Sequence, residues 1–150
     1  MDIQSRLNIK TALEHLIFLS NKNVVAVCRD LEITPQQFTD WIKYRRPIPA
    51  ERLLQLEQYF SVPADILTDD KRFAKRLSAL GGVELEIMVV KAQMNACGSD
   101  KGELAYRMER LKAEKEKQIR IARLSAVLER DDPKTMERID AFLDKLEVKE

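Results

Sequence analysis

Long hydrophobic runs, cysteine, glycine and proline are all scarce in this chain of 150 residues, which holds two Cys, four Gly and five Pro. No apolar run approaches the roughly 20 residues that span a bilayer, so we expect no transmembrane helix. The low Gly and Pro content argues against collagen-like repeats and loop-rich β-sandwiches. The polar segment after Met1 lacks the charged and apolar regions of a signal peptide.

The two cysteines, Cys28 and Cys97, are far apart and form neither a disulfide framework nor a metal-ligand cluster. His15 is the single histidine, and we interpret it as a structural residue. The chain has no glycine-rich phosphate loop and no nucleophile–base motif. These absences predict a cytoplasmic protein that is not an enzyme and carries no metal or cofactor.

Hydrophobic residues make up 45% of the chain and charged residues 34%, which favours a helix-rich globular protein. The net charge is +1, but it is unevenly distributed. Residues 1–70 hold eight Lys/Arg and ten Asp/Glu, residues 71–123 thirteen and seven, and residues 124–150 five and eight. The middle segment is therefore basic, although long helices with solvated charged faces give the same pattern.

Apolar residues at three- and four-residue steps predict five helices in the first 70 residues. The first helix runs from Ile3 to about Ser20. Asn23 is predicted to cap the second, and Thr34 with Pro35 to start the third, because such residues satisfy or lack the free amides of a first turn. Pro47 is expected to end the third helix and Pro49 to start the fourth, with a short closing helix at 64–67.

The second half is also predicted to be helical. A sixth helix containing Phe73 and Leu77 is expected to end at Gly81 and Gly82, the candidate domain boundary. Residues 83–97 fit a helix better than a strand, although both patterns are present. Ser99 or Asp100 is expected to cap a long helix to about Arg130, and Asp131-Asp132-Pro133 to cap a last one. Its apolar residues have the spacing of a coiled-coil seam: Met136, Ile139, Leu143 and Leu146.

Residues 23–49, NVVAVCRDLEITPQQFTDWIKYRRPIP, resemble the helix-turn-helix of the Cro/C1-type (XRE) family of bacterial and phage DNA-binding proteins. Cys28 occupies the place of the small residue at which the two helices cross. Leu31 precedes the turn, Ile33 lies in it, and the recognition helix opens with Thr34-Pro35. Residues 51–67, ERLLQLEQYFSVPADIL, are similar to the family's fourth and fifth helices. The resemblance covers about residues 5–70 and implies an all-α fold with an N-terminal five-helix, lambda-repressor-like bundle.

A recognition helix presents its outward residues to base edges in the major groove. Phe38, Trp41 and Ile42 are predicted to face inward on the helix at residues 35–45. Glutamine can pair with adenine, and cations can bind phosphates. The candidate DNA-binding residues are Asn23, Thr34, Gln36, Gln37, Thr39, Asp40, Lys43, Tyr44, Arg45 and Arg46.

Two residues depart from the family pattern. Glu32 stands where the family often has glycine, and a left-handed backbone there costs about 1–2 kcal/mol, so we expect an altered turn. Asp40 lies on the DNA-facing side. It can accept from a cytosine amino group, pair with a neighbouring arginine, or repel phosphate.

The predicted organisation is a DNA-binding domain at 1–70, a connecting helix and Gly-Gly break at 71–82, and a helical dimerisation or interaction region at 83–150. The resemblance implies a sequence-specific transcriptional regulator, commonly a repressor, that binds double-stranded operator DNA as a homodimer with half-sites about one turn apart. A second protein partner is also compatible with the C-terminal helices. Lys71, Arg72, Lys75 and Arg76 are interpreted as a helical basic patch that is solvated, pairs with acidic neighbours, or meets flanking phosphates.

The alternative is a helical interaction module, an adaptor or antitoxin-like partner, that does not bind DNA on its own. The acidic balance of residues 1–70, the carboxylate of Asp40 and the apolar segment 83–97 favour it. Salt dependence separates the two hypotheses, because phosphate-driven binding falls steeply with salt and an apolar protein interface does not.

Overall fold

A computed structural model of the chain describes residues 11–96 and 101–148, and within them all regular structure is helical. This confirms the all-α class for the described part. Its helices are α1 (Ala12–Leu19), α2 (Val24–Asp30), α3 (Pro35–Ile42), α4 (Ala50–Phe60), α5 (Ala64–Leu67), α6 (Ala79–Ala96), α7 (Lys101–Leu128) and α8 (Pro133–Glu147).

The predicted first helix is wrong at its start. Thr11 has an extended backbone, and its hydroxyl accepts a hydrogen bond from the Glu14 amide at 3.2 Å, so α1 begins at Ala12. A helix running unbroken from Ile3 to Ser20 is therefore excluded. The predicted residues before Thr11 lie outside the described residues.

The predicted caps at the other starts are confirmed. The Asn23 side chain accepts from the Ala26 amide at 2.8 Å and caps α2. The Asp132 side chain accepts from the Thr135 amide at 3.0 Å and caps α8. These bonds satisfy amides that have no partner within a first helical turn.

Helices α1 to α5 surround one apolar core. Its fully buried side chains include Leu13, Leu16, Phe38, Ile48 and Leu56. Burying a side chain of this size contributes roughly 1.5–3 kcal/mol, so the core fixes how the short helices are placed.

A polar cluster on the surface joins α4 to the end of α2. The Tyr59 hydroxyl donates to Asp30 Oδ2 at 2.6 Å, and Lys22 Nζ donates to the same oxygen at 3.1 Å. The Tyr59 and Lys22 bonds hold the pKa of Asp30 below its usual value. Lys22 Nζ also lies 4.5 Å from the centre of the Tyr59 ring, and hydrogen bonding to Tyr59 and Asp30 raises the pKa of Lys22.

The predicted sixth helix around Phe73 and Leu77 is wrong. The segment 68–78 is a turn followed by extended backbone, with isolated bridges from Thr68 to Ala74 and from Thr11 to Arg76. The Asp69 carboxylate accepts from the Phe73 amide at 2.9 Å and holds the turn. These long-range backbone bonds outweigh the local helical pattern.

Gly81 and Gly82 do not break the chain, because both lie in the first turn of α6. The Ser78 hydroxyl accepts from the Gly81 amide at 3.0 Å, which explains why the helix begins at Ala79. The predicted helix at 83–97 is confirmed as far as Ala96, and the strand alternative is wrong.

Helix α6 contributes side chains to two hydrophobic cores. Its Leu85 belongs to the first core, whereas Val83 and Val90 pack with Met108 and Leu111 of α7 in a second. Two ion pairs strengthen the α6–α7 contact: Glu86 with Arg107 at 2.8 Å and Glu84 with Lys115 at 3.0 Å.

The last part of α7 and α8 form a hairpin that leaves large apolar side chains exposed. The predicted long helix and last helix are confirmed in place, with α7 ending at Leu128. The predicted caps Ser99 and Asp100, together with Cys97, lie outside the described residues.

No helix of the described ranges 11–96 and 101–148 is long and apolar enough to cross a membrane.

Candidate nucleic-acid interface

The turn between α2 and α3 takes the left-handed backbone conformation that we expected Glu32 to avoid. Glu32 has φ of 52°. The Ile33 amide reaches back to the Cys28 carbonyl at 2.9 Å, and Ile33 itself is buried. Arg52 donates to the carbonyls of Leu31 and Glu32 at 3.0 and 3.4 Å. The surrounding bonds therefore hold a strained residue in place.

We expect Glu32→Gly to raise the free energy of unfolding by about 0.5–1 kcal/mol, because glycine adopts φ near 50° without the Cβ clash. The gain stays below the full strain because glycine also adds entropy to the unfolded chain. Urea unfolding measures the change. As a control, Glu137→Gly in the exposed middle of α8 should lower the free energy of unfolding by about 1 kcal/mol. Destabilisation by both substitutions would contradict a left-handed turn at Glu32.

The inner face of α3 is fixed by aromatic packing. Phe38 is fully buried and Trp41 nearly so, and their rings meet edge to face with centroids 6.4 Å apart. Ile42 packs on the same core. The three inward residues predicted from the sequence are confirmed, so the opposite face of α3 is turned to solvent.

The start of α3 has a complete capping box. The Thr34 hydroxyl accepts from the Gln37 amide at 3.2 Å, and Gln37 Oε1 accepts from the Thr34 amide at 3.0 Å. Gln37 therefore uses its oxygen inside the helix and keeps its amino group for an outside acceptor. Asn23 and Thr34, both predicted to bind DNA, are occupied as caps through their side-chain oxygens.

Asp40 lies at the centre of a network on the outer face. Gln36 Nε2 donates to Asp40 Oδ1 at 3.0 Å, and the Arg45 and Arg46 guanidinium groups lie 3.4 and 3.9 Å from the carboxylate. Of the three roles expected for Asp40, the structure shows pairing with a neighbouring arginine. The Thr39 hydroxyl donates to the Pro35 carbonyl at 2.8 Å, so it too is engaged within α3.

Helix α3 is shorter than the predicted 35–45. It ends at Ile42, and Tyr44 has a left-handed backbone with φ of 57°. Tyr44 is half-buried and packs on the core, and its buried hydroxyl has no hydrogen-bond partner among the described residues. The prediction of an outward Tyr44 is wrong, because the turn after α3 directs its ring inward.

Sequence reasoning missed the position of Arg76. Its guanidinium lies 4.7 Å from the centre of the Tyr44 ring, within the range of a cation–π contact. The Ile48 amide donates to the Arg72 carbonyl at 2.8 Å, which brings the extended basic segment beside the end of α3. No local pattern indicates this contact, because Tyr44 and Arg76 are far apart in the sequence.

The basic residues 71–76 do not form the helical patch that we predicted. They lie on a turn and on extended backbone, where Lys75 Nζ donates to the Asp65 carbonyl at 3.1 Å. Among the described residues, no carboxylate forms an ion pair with Lys71, Arg72, Lys75 or Arg76. The cations that surround the end of α3 are Lys43, Arg45, Arg46, Arg72 and Arg76, all of them exposed.

The His, Cys, Asp and Glu residues of the described part of the chain form no group that could hold a metal ion. Cys28 is buried where α2 meets the core, and burial raises the pKa of its thiol, so it is a packing residue. His15 is buried as well.

Comparisons with protein-family models, with curated proteins and with solved structures found no match to this chain. The functional argument therefore depends on the geometry of its own residues.

Proposed function

We propose that this protein is a sequence-specific DNA-binding transcriptional regulator that reads the major groove with α3. The observation that carries the proposal is the arrangement of α2, a left-handed turn and a capped α3, with exposed cations grouped at the far end of α3. We further propose that helices α1 to α5 form a Cro/C1-like bundle of the XRE family. Such a regulator would act in the cytoplasm of a bacterium and repress by occluding a promoter.

The dimensions of α3 suit a groove. An α-helix with its side chains is about 10–12 Å across, which fits the major groove of B-DNA, about 12 Å wide, and the eight residues of α3 give it about two turns to place there. Gln36 and Gln37 lie in the first turn, the part of a recognition helix that approaches base edges. Lys43 and Arg46 lie beyond the helix end, where phosphates flank the groove.

The Asp40 network supports selective binding with little affinity for random DNA. Asp40 neutralises part of the charge of Arg45 and Arg46, and its side chain is only 16% exposed. Non-specific affinity depends on phosphate neutralisation, so a carboxylate at this position lowers it. Groove contacts and dimerisation are left to provide most of the affinity for an operator.

Base reading is tested by Gln36→Ala. We expect the substitution to relax the preferred sequence at one base pair, with a loss of about 1–3 kcal/mol in discrimination, because a bidentate amide–adenine contact is removed. Selection from a random-site duplex pool measures the change. Thr135→Ala, far from α3 in the chain, is the control and should leave the selected sequence unchanged. An unchanged preference in Gln36→Ala contradicts base reading by this side chain.

Phosphate contact is tested by two substitutions that are expected to change the affinity for DNA in opposite directions. Arg46→Ala should weaken binding to all duplexes alike and reduce the salt slope by about one. Asp40→Asn should strengthen binding to all duplexes and steepen the slope, because it releases two arginines. Anisotropy titrations at several salt concentrations measure both effects. A decrease in affinity for both variants would contradict the role given to the Asp40 network.

The C-terminal hairpin supports a homodimer. Large apolar side chains are exposed on both of its helices: Ile121, Leu124, Leu128, Phe142, Leu143 and Leu146. We call these six residues the hairpin face. Ile121, Leu124 and Leu128 follow steps of three and four residues, and Leu146 lies four residues after Phe142 and three after Leu143, so each helix has one apolar stripe. A second hairpin would cover both stripes as in a four-helix bundle. A dimer would then present two copies of α3 to an inverted repeat.

The hairpin face also supports the second candidate, a protein-interaction module. A large exposed apolar patch marks a binding surface for another protein as well as for a second copy. Salt dependence of the complex decides between the two functions. Binding of a protein partner through the hairpin face, together with no duplex selected from a random pool, would favour the module.

A further inference from the structure

A cavity of about 520 Å³ lies at the corner between the extended segment 75–78 and α6. Ile66 of α5 and Lys115 of α7 complete its walls, so it joins the N-terminal helices to the second core. We call it the corner cavity. Its volume is within the roughly 300–1,000 Å³ of small-molecule sites.

The floor of the corner cavity is apolar. Ile66, Leu77, Leu85, Ile87 and Met88 line it. Leu85 is buried in the first core, and the other four are partly buried beside it or beside the second core. Because the floor residues belong to packed elements, the apolar surface is held in place before any ligand arrives.

The rim of the corner cavity is cationic. Lys75, Arg76, Lys91 and Lys115 line it, against the single carboxylate of Glu84. Glu84 is already paired with Lys115 at 3.0 Å. Lys91 is exposed on α6 and forms no ion pair with the described residues. The rim therefore has a local excess of positive charge in a chain that is nearly neutral overall.

We infer that the corner cavity binds a small amphiphilic anion, a carboxylate or phosphate head on an aliphatic or aromatic body. Such a ligand places its body on the apolar floor and its head among the rim cations. An uncharged apolar molecule would not neutralise the rim cations, and a small inorganic anion would leave the apolar floor exposed to water. Each would therefore interact with only one part of the site.

Arg76 connects the corner cavity to the candidate nucleic-acid interface. It lines the cavity and also lies over the Tyr44 ring, beside the end of α3. An anion in the cavity attracts its guanidinium away from Tyr44 and from flanking phosphates, so occupancy should weaken DNA binding. This consequence rests on the proposed function, whereas ligand binding itself does not.

Octanoate is the probe, titrated into the full-length, isotope-labelled chain and followed by amide chemical shifts without DNA. We expect saturable shifts confined to 75–91 and the neighbourhood of Lys115. Lys91→Glu should weaken binding about tenfold, because it reverses one rim charge. Lys101→Glu, an exposed residue of α7 that does not line the cavity, should leave it unchanged. Octyl phosphate should reproduce the shifts of octanoate, whereas octanol and acetate should produce much smaller ones.

Equal binding of octanol and octanoate, or equal affinities of Lys91→Glu and the unmodified chain, would overturn the assignment. A DNA titration with and without saturating octanoate then tests the link through Arg76, with an expected two- to fivefold loss of affinity. Failure to bind any duplex, with octanoate shifts intact, would refute the proposed function and leave the corner cavity supported.

Discussion

Replacing Phe38 with Ala should lower the free energy of unfolding by about 3–5 kcal/mol, the usual cost of removing a buried phenylalanine. Phe38 has no exposed surface, and its ring contacts Trp41 edge to face. The cavity that remains cannot close easily, because the capping box at Thr34 fixes the start of α3. The free energy of unfolding of a domain of this size is about 5–15 kcal/mol, so the variant should lose much of its stability. The core should then no longer fix the orientation of α3.

Urea unfolding followed by Trp41 fluorescence and by circular dichroism measures this loss. The matched control is Phe18→Ala on α1, which is 37% exposed, and its cost should be smaller, about 1–2 kcal/mol. A small effect of Phe38→Ala, similar to that of Phe18→Ala, would contradict the orientation of α3 on which the proposed interface depends.

The double substitution Leu124→Glu and Phe142→Glu should convert a dimer into monomers and weaken operator binding by about 100-fold or more. Both side chains lie on the hairpin face, and burying two carboxylates between two copies is unfavourable. The loss in DNA affinity is large because linking two recognition helices increases avidity by about 10²–10⁴ without any new contact.

Light scattering and anisotropy on the same samples measure both consequences. The matched control is Ala126→Glu with Ala141→Glu, which adds the same charge to the same helices. At 100° per residue, both control positions lie opposite the hairpin face. A double variant that remains dimeric, or one that is monomeric with unchanged operator affinity, would contradict the role of the hairpin.

The local features of this fold could be predicted from the sequence. The caps at Asn23, Thr34 and Asp132 depend on bonds to amides only three residues away, and those bonds are present. The inward face of α3 followed from the helical period alone. The helices of the described residues 101–148 were also placed correctly, since long amphipathic patterns give strong periodic signals.

The error at residues 73–78 arose where distant residues decide the backbone. This segment has a helical apolar pattern, but the Lys75 amide donates to the Leu67 carbonyl and the Lys75 carbonyl accepts from the Ala12 amide. Both are tertiary contacts, which a single sequence does not show. The error at Gly81 and Gly82 has a local cause, because the hydroxyl of Ser78 caps a helix that includes both glycines.

The sequence predicted the outward positions of the first turns of α3, but it did not predict the hydrogen bonds among them or the residues beyond the end of α3. The spacing of Gln36 and Asp40 permits a helical i, i+4 hydrogen bond, but three roles for Asp40 remained equally compatible with the sequence. The left-handed backbone at Tyr44 removes this residue from the outer face, and Arg76 takes a place beside it.

The central claim, that α3 reads duplex DNA, is tested most directly by selecting binders from a random-site duplex pool and titrating the selected duplex by anisotropy at two salt concentrations. The account predicts one enriched sequence with inverted half-sites. Its affinity should fall steeply with salt, with a slope of about −0.9 for each phosphate contacted, and random duplex should bind weakly at physiological salt. No enrichment from the pool, or binding that is insensitive to salt, would contradict it.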